Sequence, residues 1–478
     1  MVGTKKRIGL RGSRSRLTVD GPFAAMLVVV FISVSIGIIG VALKARVLMT
    51  LPAMVETAAE APTGILTFID RAIDSWKPME LALILFRSSA ENDIYGAIRK
   101  FQVSDQPFKD VDLSQFRDSK KFQYPLTSLL PIEALKAVGW GSIPQLNTLN
   151  LLLFLANVLF AVRLGQVVFG VPAFDPGAAW NGQIVIYLIG VGAALTYYPN
   201  FMALVKGNIQ VWVNFVFSVA CVAWCAKRFE LAGAMIAVAA AIKPQFGAFL
   251  LWAVLWRQWK FCAGLLAVGL PIALFSVVYF GIYNNLAYFE LLSLLSQRGE
   301  QLFLNESING ILHRLMDDGT AALVWDNNDY GPIIPVVRML TLASACVFAL
   351  VAFGPAVWRK QRSPTVSDFG AAALCFTLGS PIVWVSHYGI LLPIFIIAFK
   401  SLYDEPASRR RSVAIAGLGL SWMLCASYSP ILRLIYKAPY NVIANPRFFG
   451  ALLLLVLVLR SAAAEVQDRR IARAGPRC

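Results

Sequence analysis

Only two histidines occur in the chain, His313 and His387, and each stands in a short polar stretch between long apolar runs. Other reactive side chains share that setting. Glu91-Asn92-Asp93-Ile94-Tyr95 is an acidic cluster ending in an aromatic residue. Lys243-Pro244 interrupts an apolar run, Asn305-Glu306-Ser307 precedes His313-Arg314-Leu315, and Ser380-Pro381 precedes Trp384 and His387. A carboxylate accepts the proton of an attacking hydroxyl. Lysine and arginine hold phosphate oxygens through charge-assisted hydrogen bonds. Asp93 is therefore the candidate base. Lys243, Arg314, His313 and His387 are candidate phosphate partners, with Tyr95, Asn305 and Trp384 as further substrate contacts. Glu91 competes with Asp93 as the base, and Asp105, Asp110 and Asp112 are weaker rivals in a solvated run.

Each of these residues also has a structural role open to it. Asp93 can cap a helix starting at Ile94. Lys243 can reach the headgroups, and His313 can bond a loop carbonyl. Arg314 can pair with Asp317 or Asp318. Trp384 can belong to an interfacial aromatic belt, and Asn305-Glu306-Ser307 fits a glycosylation sequon that also arises by chance.

The elements that must position these groups are apolar. Mean hydropathy is +0.65 and only 15% of the 478 residues are charged, where soluble domains average about a quarter. Residues 23–43 carry no charge, enough to cross a hydrocarbon core of about 30 Å. Lys44 and Arg46 follow directly, which is a poor cleavage site, so this run reads as a retained span. Further runs cover 146–162, 184–198, 211–226, 261–280, 336–357, 369–381, 388–399, 413–426 and 448–459. Residues 231–242 and 246–256 are short and flank Lys243-Pro244, the pattern of a broken hairpin. The count is about ten to twelve spans. Two amphipathic stretches, 65–86 (interrupted by Asp70, Asp74 and Lys77) and 129–138, read as interfacial helices.

Six of the seven cysteines lie in apolar runs, without CxxC pairs or histidine neighbours. Neither a disulfide framework nor a zinc site is expected.

The net charge of +16 follows the topology. Lys227-Arg228, Arg257 with Lys260, Arg359-Lys360, Arg409-Arg410-Arg411 and the basic C-terminal residues all alternate onto the side of the basic N-terminus. That side is the cytoplasm by the positive-inside rule. The basic tails face an anionic leaflet, and nucleic acid is not the implied partner. The expected organisation is a basic cytoplasmic tail (1–22), a transmembrane domain (23–464) with outer loops 49–145 and 284–332, and a second basic tail (465–478). All the candidate site residues then fall on the outer face. A lipid-linked sugar phosphate needs both a base and phosphate-holding cations, and its tail needs a bilayer.

These motifs resemble glycosyltransferase family 87, polytopic GT-C enzymes. Asp93-Ile94-Tyr95 is similar to the family's first-loop Asp and Tyr, and Phe122-Gln123-Tyr124-Pro125 to its aromatic-x-Tyr-Pro. Gly207-Asn208-Ile209-Gln210, the alanine-rich run ending at Lys243-Pro244, Asn305-Glu306-Ser307 with His313-Arg314-Leu315, and Ser380-Pro381 with Trp384 and His387 follow in the family's order. The chain departs from the pattern at Ser386-His387, where the family often has a histidine pair, and in the long gap between the first span and Asp93.

The resemblance implies an all-α GT-C-type bundle with a large first outer loop. It also implies an inverting transfer of a hexose, commonly mannose, from a polyprenyl-phosphate donor to a glycan or lipid acceptor. That activity belongs at the outer face of the cell (inner) membrane, with Asp93 as base, Lys243, Arg314 and His387 around the leaving phosphate, and no metal or other cofactor. The rival class is a transporter or flippase of lipid-linked saccharides. It calls for polar residues along a path through the bundle and often an internal repeat, and the sequence shows no convincing repeat.

Overall fold

The computed structural model describes residues 21, 24–36, 72–88, 93–104, 116, 121–170, 180–316, 331–359, 363–427, 435 and 438–474. The N-terminal basic tail, Glu91, Asp105, Asp110, Asp112, Asp317 and Asp318 lie outside them. Regular structure among the described residues is helical, apart from one isolated antiparallel bridge between Asn305 and Trp384.

In chain order the helices are α1 (Ala24–Ile36), α2 (Trp76–Ser88), α3 (Ile94–Ser104), α4 (Leu130–Ala137), α5 (Ile143–Phe169) and α6 (Trp180–Thr196). Then follow α7 (Tyr198–Val205), α8 (Gln210–Cys225), α9 (Phe229–Ile242), α10 (Ala248–Leu255), α11 (Trp259–Phe280) and α12 (Ile282–Arg298). The chain closes with α13 (Ile308–Met316), α14 (Pro335–Trp358), α15 (Val366–Leu378), α16 (Leu391–Asp404), α17 (Arg409–Ala426) and α18 (Pro446–Ala474). Helices α12 and α13 occupy about half of what the sequence presents as the second outer loop. Helix α18 runs unbroken past residue 464.

The protein is a multi-pass all-α membrane protein. Among the described residues, 5 helical stretches are long and apolar enough to cross a bilayer, and a sixth arises if the pair around Tyr197, bent by 50°, is one span. Shorter apolar helices pack between them. Helix α15 has only 13 residues, about 20 Å at 1.5 Å per residue, yet every residue from Ser367 to Leu378 is buried. A helix shielded by protein on all sides need not match the bilayer thickness, because its ends meet protein and not lipid. The lipid-facing surface is carried by the longer helices: α11 exposes Leu270, Leu274, Phe275 and Val278, and α14 exposes Met339, Val347, Leu350 and Val357.

Two kinds of contact hold the bundle. Small residues let backbones touch: a Cβ on Gly233 of α9 would sit 2.1 Å from the Phe261 carbonyl oxygen, and one on Gly264 of α11 would sit 1.9 Å from that of Glu230. Such close approach favours helix association in lipid, where the hydrophobic effect between helices is weak. The second contact is a buried amide ladder. Trp212 donates to Asn150 at 2.8 Å, Ser218 to Asn157 at 2.6 Å, and Asn214 to Asn200 at 2.7 Å. Polar side chains at membrane depth are thus bonded to each other across α5, α7 and α8.

Local sequence sets the ends. Ser142 and Gln145 form a capping box at the start of α5, Pro144 follows in its first turn, and Gly170 (φ +63°) ends it. The expected break at Lys243-Pro244 is present: α9 stops at Ile242, and a short 3-10 turn, Pro244–Gly247, leads into α10. Proline cannot continue the helix and biases the preceding residue to extended backbone, and Lys243 is extended, with φ −130° and ψ 93°.

Candidate active site

Six separate stretches of chain meet around a cavity of about 420 Å³. They are residues 73–78, 121–124, 202–208, 242–245, 288–304 and 380–387.

The first stretch is held by the turn at 206–208, between α7 and α8. The Asp74 main-chain N–H donates to the Lys206 carbonyl at 2.9 Å, and that of Ser75 donates to Gly207 at 3.2 Å. Gly207 has φ +66°, and a Cβ there would lie 2.5 Å from the Ala72 carbonyl oxygen. Only glycine allows both the left-handed turn and this approach. Asn208 then donates from its amide to Asp74 Oδ2 at 2.5 Å and accepts from the Gln210 N–H at 2.8 Å. Asn147 adds a bond to the Ala72 carbonyl at 2.9 Å. Asp74 is thereby fixed as an exposed carboxylate on the cavity wall.

Tyr124 links this edge to the cations. Its hydroxyl lies 3.0 Å from Ser75 Oγ, and Lys243 Nζ sits over its ring at 4.9 Å. Burial and the nearby Asp74 raise the Tyr124 hydroxyl well above the ordinary phenol range, so it stays protonated at neutral pH. Behind it, the Tyr95 hydroxyl donates to the Tyr124 carbonyl at 2.8 Å, and the Tyr95 ring stacks on Phe122.

Lys243 Nζ is 2.8 Å from His387 Nε2. Lys243 is half-buried on the cavity wall, and burial pushes its ammonium down to about 7, while the Asp74 charge pulls it back up. The Trp384 main-chain N–H lies 3.3 Å from His387 Nδ1. A ring accepting there carries its proton on Nε2 and meets an uncharged amine, whereas a ring protonated on Nδ1 meets an ammonium. An anion entering the cavity would favour the ammonium form. Lys206, half-buried, adds a further cation to the wall.

The sequence candidates divide cleanly. Lys243, Trp384 and His387 line the cavity together. Asp93 does not. Its Oδ1 accepts the Gly96 N–H at 2.8 Å, and its carbonyl accepts the Ala97 N–H, so it serves as the N-terminal cap of α3. The Ile94 N–H is taken by Asn284 at 2.8 Å. Tyr95 is buried behind Tyr124, off the cavity surface. Arg314 is buried too. Its Nη1 donates to the carbonyls of Gln301, Leu302 and Asn305 at 3.3, 3.0 and 3.0 Å, and Nη2 to Asn445 at 2.5 Å. Burial lowers its guanidinium to about 10, still charged at neutral pH. His313 is fully buried under Gly299. Asn305 donates to the Glu300 carbonyl at 2.9 Å and accepts the Val383 N–H at 2.9 Å.

The motif around His313 and Arg314 is therefore a frame rather than a cavity wall. It ties the 301–307 loop to residues 383–385, with the Tyr388 hydroxyl donating to the Glu306 carbonyl at 2.6 Å. Arg447 closes the frame through a buried ion pair with Glu306. What sequence reasoning missed is Asp74, read there only as an interruption of an amphipathic stretch. The available signal was its place directly before a helix in the first polar segment.

A carboxylate beside two lysines and a histidine can accept a hydroxyl proton while stabilising a departing phosphate. Neither a curated protein nor a solved structure matches the chain. The sequence model of glycosyltransferase family 87 matches residues 122–385. That match spans more than half of the chain and takes in Tyr124, Lys243 and Trp384, so the chain belongs to glycosyltransferase family 87 and is a membrane glycosyltransferase.

Proposed function

We propose that the protein transfers a hexose, mannose foremost, from a polyprenyl-phosphate donor to a glycan or lipid acceptor with inversion at the anomeric carbon. The observation that carries this reading is one carboxylate, Asp74, beside Lys206 and lining the same cavity as Lys243 and His387 within a membrane bundle. Asp74 takes the proton of the acceptor hydroxyl as that oxygen bonds to the anomeric carbon. The bond from that carbon to the phosphate oxygen breaks on the opposite face, and the electron pair leaves with the lipid phosphate. Positive charge spreads over the sugar as in other glycosyl transfers. Lys243 and Lys206 offset the charge arriving on the phosphate, and His387 holds Lys243 toward it.

The cavity belongs on this reading to the outer face of the cell (inner) membrane, with both termini cytoplasmic. Exposed Lys227, Arg228, Arg257, Lys260, Arg409 and Arg410 lie at the opposite helix ends and support that orientation.

The test is incubation of membranes holding the protein with radiolabelled polyprenyl-phosphate hexoses, followed by product analysis. Transfer from the mannosyl lipid is the expected result. Transfer only from a soluble nucleotide sugar, or none from any lipid donor, overturns the proposal.

A further inference from the structure

The cavity wall carries one more charged group, and it differs from the others. Lys121 lines the cavity with its side chain only 2% exposed, and Glu300, behind it, accepts its ammonium at 3.0 Å. The pair joins the stretch that bears Tyr124 to the loop that bears Asn305. The same wall also carries the uncharged Gln123, Tyr288, Leu292 and Leu302.

The two polar regions of the cavity therefore have different net charge. Lys206 and Lys243 together face a single carboxylate, Asp74, leaving an excess of one positive charge for a phosphate diester. Lys121 is already neutralised by Glu300. A second anion gains little from a lysine whose charge is balanced at contact distance, because the carboxylate repels it. A neutral, hydroxyl-rich ligand suits such a pair, since ammonium and carboxylate bond hydroxyls without requiring net charge.

We propose that Lys121, held by Glu300 and flanked by Gln123, is the subsite for the hydroxyl groups of the transferred hexose. This rests on the lipid-phosphate reading of the cavity given above. In it the phosphate sits at Lys206 and Lys243, and the sugar extends toward Lys121. A buried group built to bond one hydroxyl discriminates strongly against a sugar that lacks it, so Lys121 becomes the residue that sets sugar selectivity.

Removing Lys121 alone would take the counter-charge from a buried carboxylate, so the informative variant is K121M/E300L, which replaces the pair by apolar residues of similar size and usually preserves folding. Binding of farnesyl phosphate and of mannosyl farnesyl phosphate to the purified full-length protein is measured for wild type, K121M/E300L and K206A. The double variant should bind the mannosyl ester at least about tenfold more weakly, the size of one lost hydrogen bond to a charged group. Its affinity for farnesyl phosphate should be unchanged, and K206A should weaken both ligands alike. With monodeoxy mannosyl esters, wild type should reject at least one analogue and K121M/E300L should not. Equal loss for both ligands in K121M/E300L, or no loss, overturns the subsite while leaving the lipid-phosphate reading intact. Failure of wild type to bind either compound overturns that reading and the subsite with it.

Discussion

Replacing Asp74 by Asn isolates the proton-transfer step. The main-chain bonds to Lys206 and the neighbouring turn do not depend on the side-chain charge. An asparagine can keep its oxygen on the Asn208 amide that now reaches Asp74 Oδ2 at 2.5 Å, which aims its NH2 group into the cavity. A donor then stands where an acceptor is required. General bases contribute about 10²–10⁴ in rate, or about 3–5 kcal/mol at 1.36 kcal/mol per tenfold, and D74N should lose that much of kcat while still binding donor. The removed charge also supports the Lys243 ammonium, so the alkaline limb of kcat/KM should move to lower pH. The control is D93N. Asparagine caps helices as well as aspartate, so D93N should retain near-normal turnover. The assay is single-turnover transfer from labelled lipid-phosphate mannose in detergent, with protein quantified by gel filtration. Normal turnover in D74N together with a collapse in D93N would refute the assignment.

Four further outcomes are expected. With Lys243 near 7 in the free enzyme, kcat/KM for the anionic donor should fall as pH rises past about 7. K243R, charged at every accessible pH, should lack that limb in a pH-rate profile. G207A forces a Cβ into the left-handed turn against Ala72 and should lose at least about 1–2 kcal/mol, read as a lower unfolding midpoint together with reduced turnover. R314M removes the guanidinium from the carbonyls of Gln301, Leu302 and Asn305 and from Asn445, and although Leu302 keeps the Asn305 N–H, each group left unsatisfied costs about 1–3 kcal/mol. It should melt early, yet the fraction that folds should keep the wild-type donor KM. A cysteine at the exposed Glu290 of α12 should react with an impermeant maleimide added outside intact cells, and labelling only after permeabilisation would reverse the proposed orientation.

Much of this protein is legible in its sequence because the bilayer imposes simple rules. The proline after Lys243 and the aspartate before Ile94 each act through neighbours in the chain, and each has the local structure expected of it; the long uncharged runs are helical where described, 5 or 6 of the stretches being long and apolar enough to cross a bilayer. The site is harder to read. Asp74 is placed by partners at 206–208, Asn208 standing 134 positions further along the chain, and nothing in the local pattern announces that pairing. Arg314 carries the residue type for phosphate binding, but its targets are main-chain carbonyls, which look alike in any sequence. Lys243 and His387 were identifiable because a polar residue inside an apolar run must either serve the site or find a buried partner, and here the two residues bond each other.

The ion pair between Glu306 and Arg447 has a bearing on how the enzyme comes into being. Glu306 lies in the loop before α13 and Arg447 at the start of α18, 141 positions further along the chain. Until α18 arrives, a carboxylate destined for the interior lacks its counter-charge, and the frame that presents His387 is open. Closure of the frame is therefore a long-range event: the loop that borders His387 is completed only when the start of α18 packs against it, so a lesion at Arg447 should disturb residues 383–387 without touching the cavity wall directly.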